Sequence, residues 1–477
     1  MVFGEKHPLL ANGKLSGKND SSCRPLLASF VASILSFASG TVVAGWSAPA
    51  NPSVVGETIF MLTKAESSWV VSIYVIGSLV GALPTGYMSQ SIGRKKFLLL
   101  LAIPMSLGWA LIMAFDDNVN IIYTGRLLCG LAVGAITVAV PLYNQEIASD
   151  ACRGRGGVFL DFMLCVGILY SYMISAVVGL SMFSLTCSLI PVVFAILFAF
   201  MPESPAYLYH AGRYEEARTS LKWLYGEDFD VMAQFDTYAK IRGEIDNASR
   251  VASTDINGFY SKRIYAKAIV LSIALVTIQR LSGAGAIIQY IVKLFKISGS
   301  SIEPSTASII TGTFQVLASG ASILLVDRVG RRKLLLASSS VVVVCLAMLT
   351  LYFYCLKIGL LANSFLKIMP VFIVCTYISF FRLGLGPIPW FMTSELLGSE
   401  RENIAQSILS SYSWTLSFFI MKTFVPFVDN WPIALWLGYT VISVVGFVII
   451  LFFIPETNNK NQEQIQQALT KLNQWSS

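Results

Sequence analysis

Twelve apolar stretches run through this chain of 477 residues, at roughly 26–48, 68–88, 97–115, 120–143, 157–179, 183–201, 264–291, 305–326, 335–356, 367–392, 403–427 and 433–454. Each is long enough to cross the hydrocarbon core of a bilayer, which takes about 20 residues of helix. Lipid cannot hydrogen-bond an open backbone, so such stretches are helical. Composition agrees: 55% of residues are hydrophobic and only 13% charged, too few charges to keep a soluble domain solvated. The expected fold class is therefore an all-α membrane protein with twelve transmembrane helices.

Charge orients the spans. Gly93-Arg94-Lys95-Lys96, Arg153 with Arg155, and Arg328-Val329-Gly330-Arg331-Arg332-Lys333 fall on one side, with both tails, whereas the opposite loops carry Asp116-Asp117 and Asp429. The positive-inside rule places that basic side, and both termini, in the cytosol. The net charge of +7 is spread over these short clusters, so no nucleic-acid partner is expected. The first 24 residues are polar and lack the apolar core of a signal peptide. They include Glu5 followed by the pair Leu9-Leu10, the pattern of a sorting-adaptor signal. The expected location is the plasma membrane or an endosomal or lysosomal membrane. Asn19 and Asn247 head glycosylation sequons in cytosolic segments, and Pro52 blocks the one at Asn51, so no glycan is expected.

One long polar connection, about 206–262, interrupts the alternation, with helical amphipathic spacing from Gly212 to Val231. The expected organisation is a tail at 1–25, a six-helix bundle at 26–205, a cytosolic helical linker at 206–262, a second six-helix bundle at 263–455 and a tail at 456–477. The punctuation of the two bundles repeats. Gly-Arg-Lys-Lys at 93 returns as Gly-Arg-Arg-Lys at 330, Glu146 as Glu395, and Pro202-Glu203-Ser204 as Pro455-Glu456-Thr457, at offsets of 237, 249 and 253 residues. Secondary transporters are built from such repeats, with the substrate site between them near the midplane.

Several motifs recur together in order: Gly125-Arg126; Pro141-Leu142-Tyr143-Asn144-Gln145-Glu146; Pro202-Glu203-Ser204-Pro205; Gln279 with Leu281-Ser282-Gly283; Gly384-Leu385-Gly386-Pro387-Ile388-Pro389-Trp390; and Pro455-Glu456-Thr457. On these residues the chain resembles the sugar porters of the major facilitator superfamily from about residue 30 to 465. Gly45-Trp46-Ser47, Ser413-Trp414 and Lys422-Thr423-Phe424 resemble insect trehalose-type or vesicular hexose carriers within it. The resemblance implies two pseudo-symmetric bundles, alternating access and a sugar substrate.

The basic-face charges suggest a clamp. Arg94, Glu146, Arg153 and Glu203 lie at helix ends in the first half, and Asp327, Arg331, Arg332, Glu395 and Glu456 in the second. Charges at that depth are costly unless paired, so cross-helix ion pairs that break on inward opening are expected. The alternative is ordinary positive-inside topology, with the arginines touching lipid phosphates. Relative to the family pattern, Gln90 stands for an acid, and Arg401 lies one place early with Glu402 behind it, which makes the clamp asymmetric.

Gly384, Gly386, Pro387 and Pro389 interrupt the tenth segment, and irregular backbone at this depth is tolerated only where it is buried in protein or lines a cavity. By resemblance, Phe381, Trp390 and Trp414 are cavity aromatics. Amides suit neutral sugars because they donate and accept together. Gln279 is kept and Gln315 contributes, but Arg280, Gly285, Ser413 and Asp161 stand where the family has amides, and Arg382 replaces a small or acidic residue. Asp161 is the carboxylate placed well inside a span, at a cost of ~2.5–3.5 kcal/mol on insertion scales. Arg280 and Arg126 are its expected partners, in a salt bridge across the two halves.

Three uses stay open: a structural pair beside a sugar site; a positive cavity, with Arg126, Arg280 and Arg382 against one acid, for an anionic solute such as a sugar acid or a urate-like molecule; or a sensor that binds without transporting. The first segment carries no acid between Asp20 and Glu57, so facilitated diffusion is the default expectation, with proton coupling through Asp161 as its alternative. No phosphate-binding loop, catalytic triad or metal cluster is visible. No enzyme activity, cofactor or metal is expected, only a small-molecule substrate and membrane lipid as partners.

Overall fold

A computed structural model describes residues 24–46, 63–147, 153–239, 256–360, 366–397, 402–457 and 464. In the first half the helices are α1 (Arg24–Ala44), α2 (Lys64–Ile92), α3 (Arg94–Ala114), α4 (Val119–Ile147), α5 (Arg153–Ser175) and α6 (Leu180–Ala199). The connection holds α7 (Pro205–His210), α8 (Tyr214–Tyr225) and α9 (residues 231–239). The second half holds α10 (Ile256–Leu281), α11 (Ala284–Gln289), α12 (Ile291–Ile297), α13 (Pro304–Val329), α14 (Arg331–Lys357), α15 (Met369–Phe380), α16 (Ile388–Leu397), α17 (Glu402–Asn430) and α18 (Pro432–Phe453). Among the described residues, ten stretches are long and apolar enough to cross a membrane. Phe159–Ser175 of α5 is a shorter apolar helix, and α17, serine-rich on its inner side, supplies the twelfth span.

Small residues set the packing within the first half. Gly77 and Gly81 of α2 face Leu127 and Leu131 of α4, while Gly130 and Gly134 of α4 face the carbonyls of Tyr74 and Ser78. A Cβ at any of the four would strike the opposing backbone. Without a hydrophobic force between helices in lipid, close backbone approach of this kind holds them together.

Two expected spans are not continuous. The seventh breaks at Gly283, whose φ of 84° is left-handed, so α10, α11 and α12 follow one another with short offsets. The tenth contains a π turn, Phe381–Leu385, between α15 and α16. Neighbouring side chains take up the backbone groups this frees. Ser338 Oγ donates to Phe380 O (2.7 Å) and accepts from Leu385 N–H (2.9 Å). Ser322 donates to Leu383 O at 3.1 Å, and Gln279 Nε2 donates to Gly386 O. At the other break, Tyr377 OH donates to Ser282 O at 2.8 Å. Broken helices survive in lipid on this condition.

The halves meet along two lines, α2 against α17 and α5 against α13. Gly86 N–H donates to Ser407 Oγ at 3.0 Å toward the face that carries the two Gly-Arg motifs. Toward the opposite face, the Lys422 ammonium sits 3.7 Å from the Trp69 ring centroid. Tyr172 OH donates to Ile288 O there, at 2.7 Å.

Candidate functional site

On the basic face the two halves build the same device. Gly93 (φ 106°) and Gly330 (φ 97°) turn the chain into α3 and α14, a conformation that strains any L side chain. The first N–H groups of a helix have no partner within it. Here Glu203 accepts from Lys95 N–H at 2.8 Å, and Glu456 from the N–H groups of Arg331 (3.0 Å) and Arg332 (3.1 Å). The carboxylates approach so closely that a Cβ would meet Glu203 Oε2 at 2.7 Å from Gly93, and Glu456 Oε2 at 2.9 Å from Gly330. Burial pushes the Glu203 carboxyl above its ordinary range, opposed by its N–H donors and by Arg94.

Beside each cap lies an ion pair. Arg94 Nη2 reaches Glu146 Oε1 at 2.8 Å, with Nε on both carboxylate oxygens. Arg331 Nη2 reaches Glu395 Oε1 at 3.2 Å. The expected clamp thus divides into two parts: Arg94, Glu146, Arg331 and Glu395 form side-chain pairs, whereas Glu203 and Glu456 hold helix N-termini. Arg332 sends its Nη2 to Leu451 O at 2.6 Å, a carbonyl and not an acid. Each ion pair lies within its own half, so these contacts tie helices inside a bundle. Arg401, Glu5, Leu9, Leu10 and the side chains of Arg153 and Asp327 lie outside the described residues.

Deeper in, the expected partners of Asp161 are corrected. Its Oδ1 pairs with Arg382 Nη1 at 2.6 Å, and both residues are buried. Ser319 Oγ donates to Oδ2 at 3.0 Å, and Cys165 Sγ lies 3.8 Å from it. The bridge does join the two halves, α5 to the π turn, but through neither Arg280 nor Arg126. The π turn explains the difference: it presents Arg382 from the α15–α16 corner, next to α13.

Arg126 is instead fully buried within the first half. Its Nη1 donates to Val42 O at 2.8 Å and its Nε to Val70 O at 3.2 Å, while its guanidinium carbon lies 4.8 Å from the Tyr74 ring centroid. Arg280 donates through Nε to Ser413 Oγ. Its guanidinium carbon lies 5.2 Å from the Trp414 centroid and 6.0 Å from that of Trp390. Tyr74 meets Trp414 edge-on at 6.2 Å. Tyr74 and Arg126 from the first half therefore join Arg280, Trp390, Ser413 and Trp414 from the second in one contiguous group.

Three buried polar atoms in or beside this group have no hydrogen-bond partner, Trp414 Nε1, Gln279 Oε1 and Gln289 Oε1, and Gln315 Nε2, likewise unpartnered, belongs to a residue beside Cys165 and the Asp161–Arg382 pair. An orphaned buried polar atom costs free energy, so such a set calls for a polar guest. Gln279, whose Nε2 holds Gly386 O, is half structural and half available. Phe381 stacks on Tyr377 with centroids 6.3 Å apart and opens the π turn. A Cβ on Gly285 would meet Met421 Cε at 3.2 Å. Sequence reasoning missed Tyr74 and Gln289. Nothing local separates them from other aromatic and amide residues in spans.

Comparison with known proteins agrees with this architecture. The chain is 33% identical over 449 residues to the facilitated trehalose transporter Tret1 of Bombyx mori, covering 93% of this chain and 86% of that one. It is also 33% identical over 448 residues to the facilitated trehalose transporter Tret1-2 homolog of Drosophila simulans, covering 93% and 90%. Among solved structures, the major facilitator superfamily proton:xylose symporter XylE bound to 6-bromo-6-deoxy-D-glucose superposes with a TM-score of 0.75 at 20% identity, over 94% of this chain and 99% of that one. The inward-open conformation of XylE from E. coli gives 0.70 at 20% identity, over 93% and 99%. The fold is thus the twelve-helix major facilitator fold of two six-helix bundles. Residues 26–469 match the family described as sugar (and other) transporter, and with the relatives above this shows that the chain belongs to that family.

Proposed function

We propose that this protein is a facilitative carrier, a uniporter, that moves a sugar such as a hexose or trehalose across a membrane by alternating access. The observation that carries the proposal is its 33% identity, over nearly its whole length, with relatives named as facilitated trehalose transporters. The bundle-spanning group of Tyr74, Arg280, Trp390, Ser413 and Trp414 supports it. Indole faces suit the apolar face of a sugar ring, and unpartnered amide and indole groups suit its hydroxyls. The halves at 26–205 and 263–455 rock about this group, with 206–262 as their tether. The basic face is cytosolic, and the Glu5, Leu9, Leu10 signal engages a sorting adaptor that directs the carrier to an endosomal or lysosomal membrane.

Uniport follows from the same chemistry. Asp161, the carboxylate expected inside a span, is matched by Arg382, so it belongs to the contact between the halves and not to a proton path. That pair opens when α5 and α13 separate.

The test is uptake of radiolabelled hexoses and trehalose into proteoliposomes, with and without a pH gradient. Saturable, gradient-independent uptake is expected. Uptake that dissipates the gradient overturns uniport, and binding without uptake of any solute makes the protein a sensor instead of a carrier.

A further inference from the structure

With Asp161 committed to Arg382, the half-buried Arg280 has no acidic partner among the described residues. Its neighbours are a hydroxyl, Ser413 Oγ, and two indoles, Trp390 and Trp414. A cation in the interior of a membrane protein is costly without compensation. Stacking on indole supplies about 0.5–2 kcal/mol, which offsets only part of that cost. Arg126, against the Tyr74 ring, is held by two carbonyls and that ring, with its Nη2 buried and unpartnered. The charge balance of the site therefore differs from that expected of an amide-lined sugar site. Two guanidinium groups bracket the Tyr74–Trp414 contact, and the nearby carboxylate is already spent.

The polar complement points the same way. Arg280 uses Nε on Ser413, and guanidinium presents donors but no acceptor, in a fork that fits a carboxylate. A neutral hydroxyl can accept one such bond, but only an anion also cancels the charge. The indoles that flank Arg280 suit a ring, and Gln279 Oε1 and Trp414 Nε1 offer an acceptor and a donor for its hydroxyls.

We propose that Arg280 is an anion anchor, and that the preferred cargo is a sugar-sized ring bearing a carboxylate, of the sugar-acid class, with its carboxylate on Arg280 between Trp390 and Trp414. This rests on the carrier reading above and narrows its substrate class. One anion moved per cycle carries charge, so transport of such a solute is electrogenic, whereas uniport of a neutral sugar is not.

The experiment uses the full chain in proteoliposomes, with D-glucuronate, D-glucose and trehalose as probes at matched concentrations. Binding is followed in parallel by quenching of intrinsic tryptophan fluorescence. Glucuronate should enter faster than glucose, at a rate that responds to an imposed membrane potential. Arg280→Gln, which restores an amide, should lower glucuronate uptake and affinity about ten- to hundredfold and lower glucose uptake far less, so that the ratio of glucuronate to glucose uptake falls about tenfold or more. Arg280→Lys keeps the charge but not the planar fork, and should give a glucuronate signal between those of wild type and Arg280→Gln. Glucose or trehalose uptake with no glucuronate uptake or binding overturns the anion anchor and leaves the carrier reading intact. Equal loss of all three solutes in Arg280→Gln, in protein that stays folded by thermal scan, also overturns it. Glucuronate quenching that Arg280→Gln abolishes, with no uptake of any solute, upholds the anchor and overturns transport.

Discussion

In the first half Arg94 reaches Glu146 while Glu203 holds the N-terminus of α3; in the second, Arg331 reaches Glu395 while Glu456 holds the N-terminus of α14. Each arrangement hangs on a left-handed glycine, Gly93 or Gly330. The interiors follow no such symmetry. Arg126 is tied to carbonyls inside the first half, whereas Arg382 crosses from the second half to Asp161, and Arg280 lies on indoles. The repeat persists where both bundles have the same task, turning a chain tightly at a helix start. It is lost where the halves face one another and share a single site between them.

Substitutions at the asymmetric interior should have the largest effect. Asp161→Ala leaves Arg382 buried without its acid, and removing one partner of a buried pair costs about 3–5 kcal/mol. A large fall in thermal midpoint in detergent is expected, with much of it recovered when Arg382→Gln is added. A double variant as unstable as the single would show that the pair does not couple the halves. Next in size, Gly93→Ala and Gly330→Ala each force a side chain into positive φ and against a carboxylate, at a cost of about 1–3 kcal/mol. The two should fall together; a large effect at one and none at the other would end the claim of symmetry.

Smallest is the loss of a helix-end anion. Glu456→Gln should cost about 0.3–1 kcal/mol, read as a small shift in midpoint at neutral pH. The Glu203 carboxyl also predicts a pH dependence. Burial raises it above its ordinary 4.5, so the folded state takes up a proton that the unfolded chain does not between 4.5 and the raised value. Stability from this group is fully present below 4.5 and is lost as pH rises through the raised value. Wild type measured against Glu203→Gln should therefore gain stability on acidification through that window. A difference that shrinks would mean that the N–H donors and Arg94 outweigh burial.

Much of the site is legible in the sequence. Asp161 stands out because an acid in a span carries a recognisable cost, and Arg280 and Arg382 because they occupy positions where the family places other residues. Their pairing is not legible there. Asp161 and Arg382 are 221 residues apart, and which arginine reaches the acid depends on a π turn that swings one corner of the tenth span. Gln279 shows the same limit. Its identity marks a polar site, yet one end of its amide serves the backbone at Gly386, a need that arises only once the helix has broken.

Membrane class, the number of spans, the repeat and the glycine-and-acid punctuation can be read from the residues alone, because hydropathy and turn chemistry act over one span or one turn. Packing of the two bundles settles which charges meet across the halves, which carboxylates cap helices instead of pairing with arginines, and which arginine is left facing the indoles. Those outcomes depend on where two bundles touch, and a buried charge takes whatever partner that contact brings within about 3 Å.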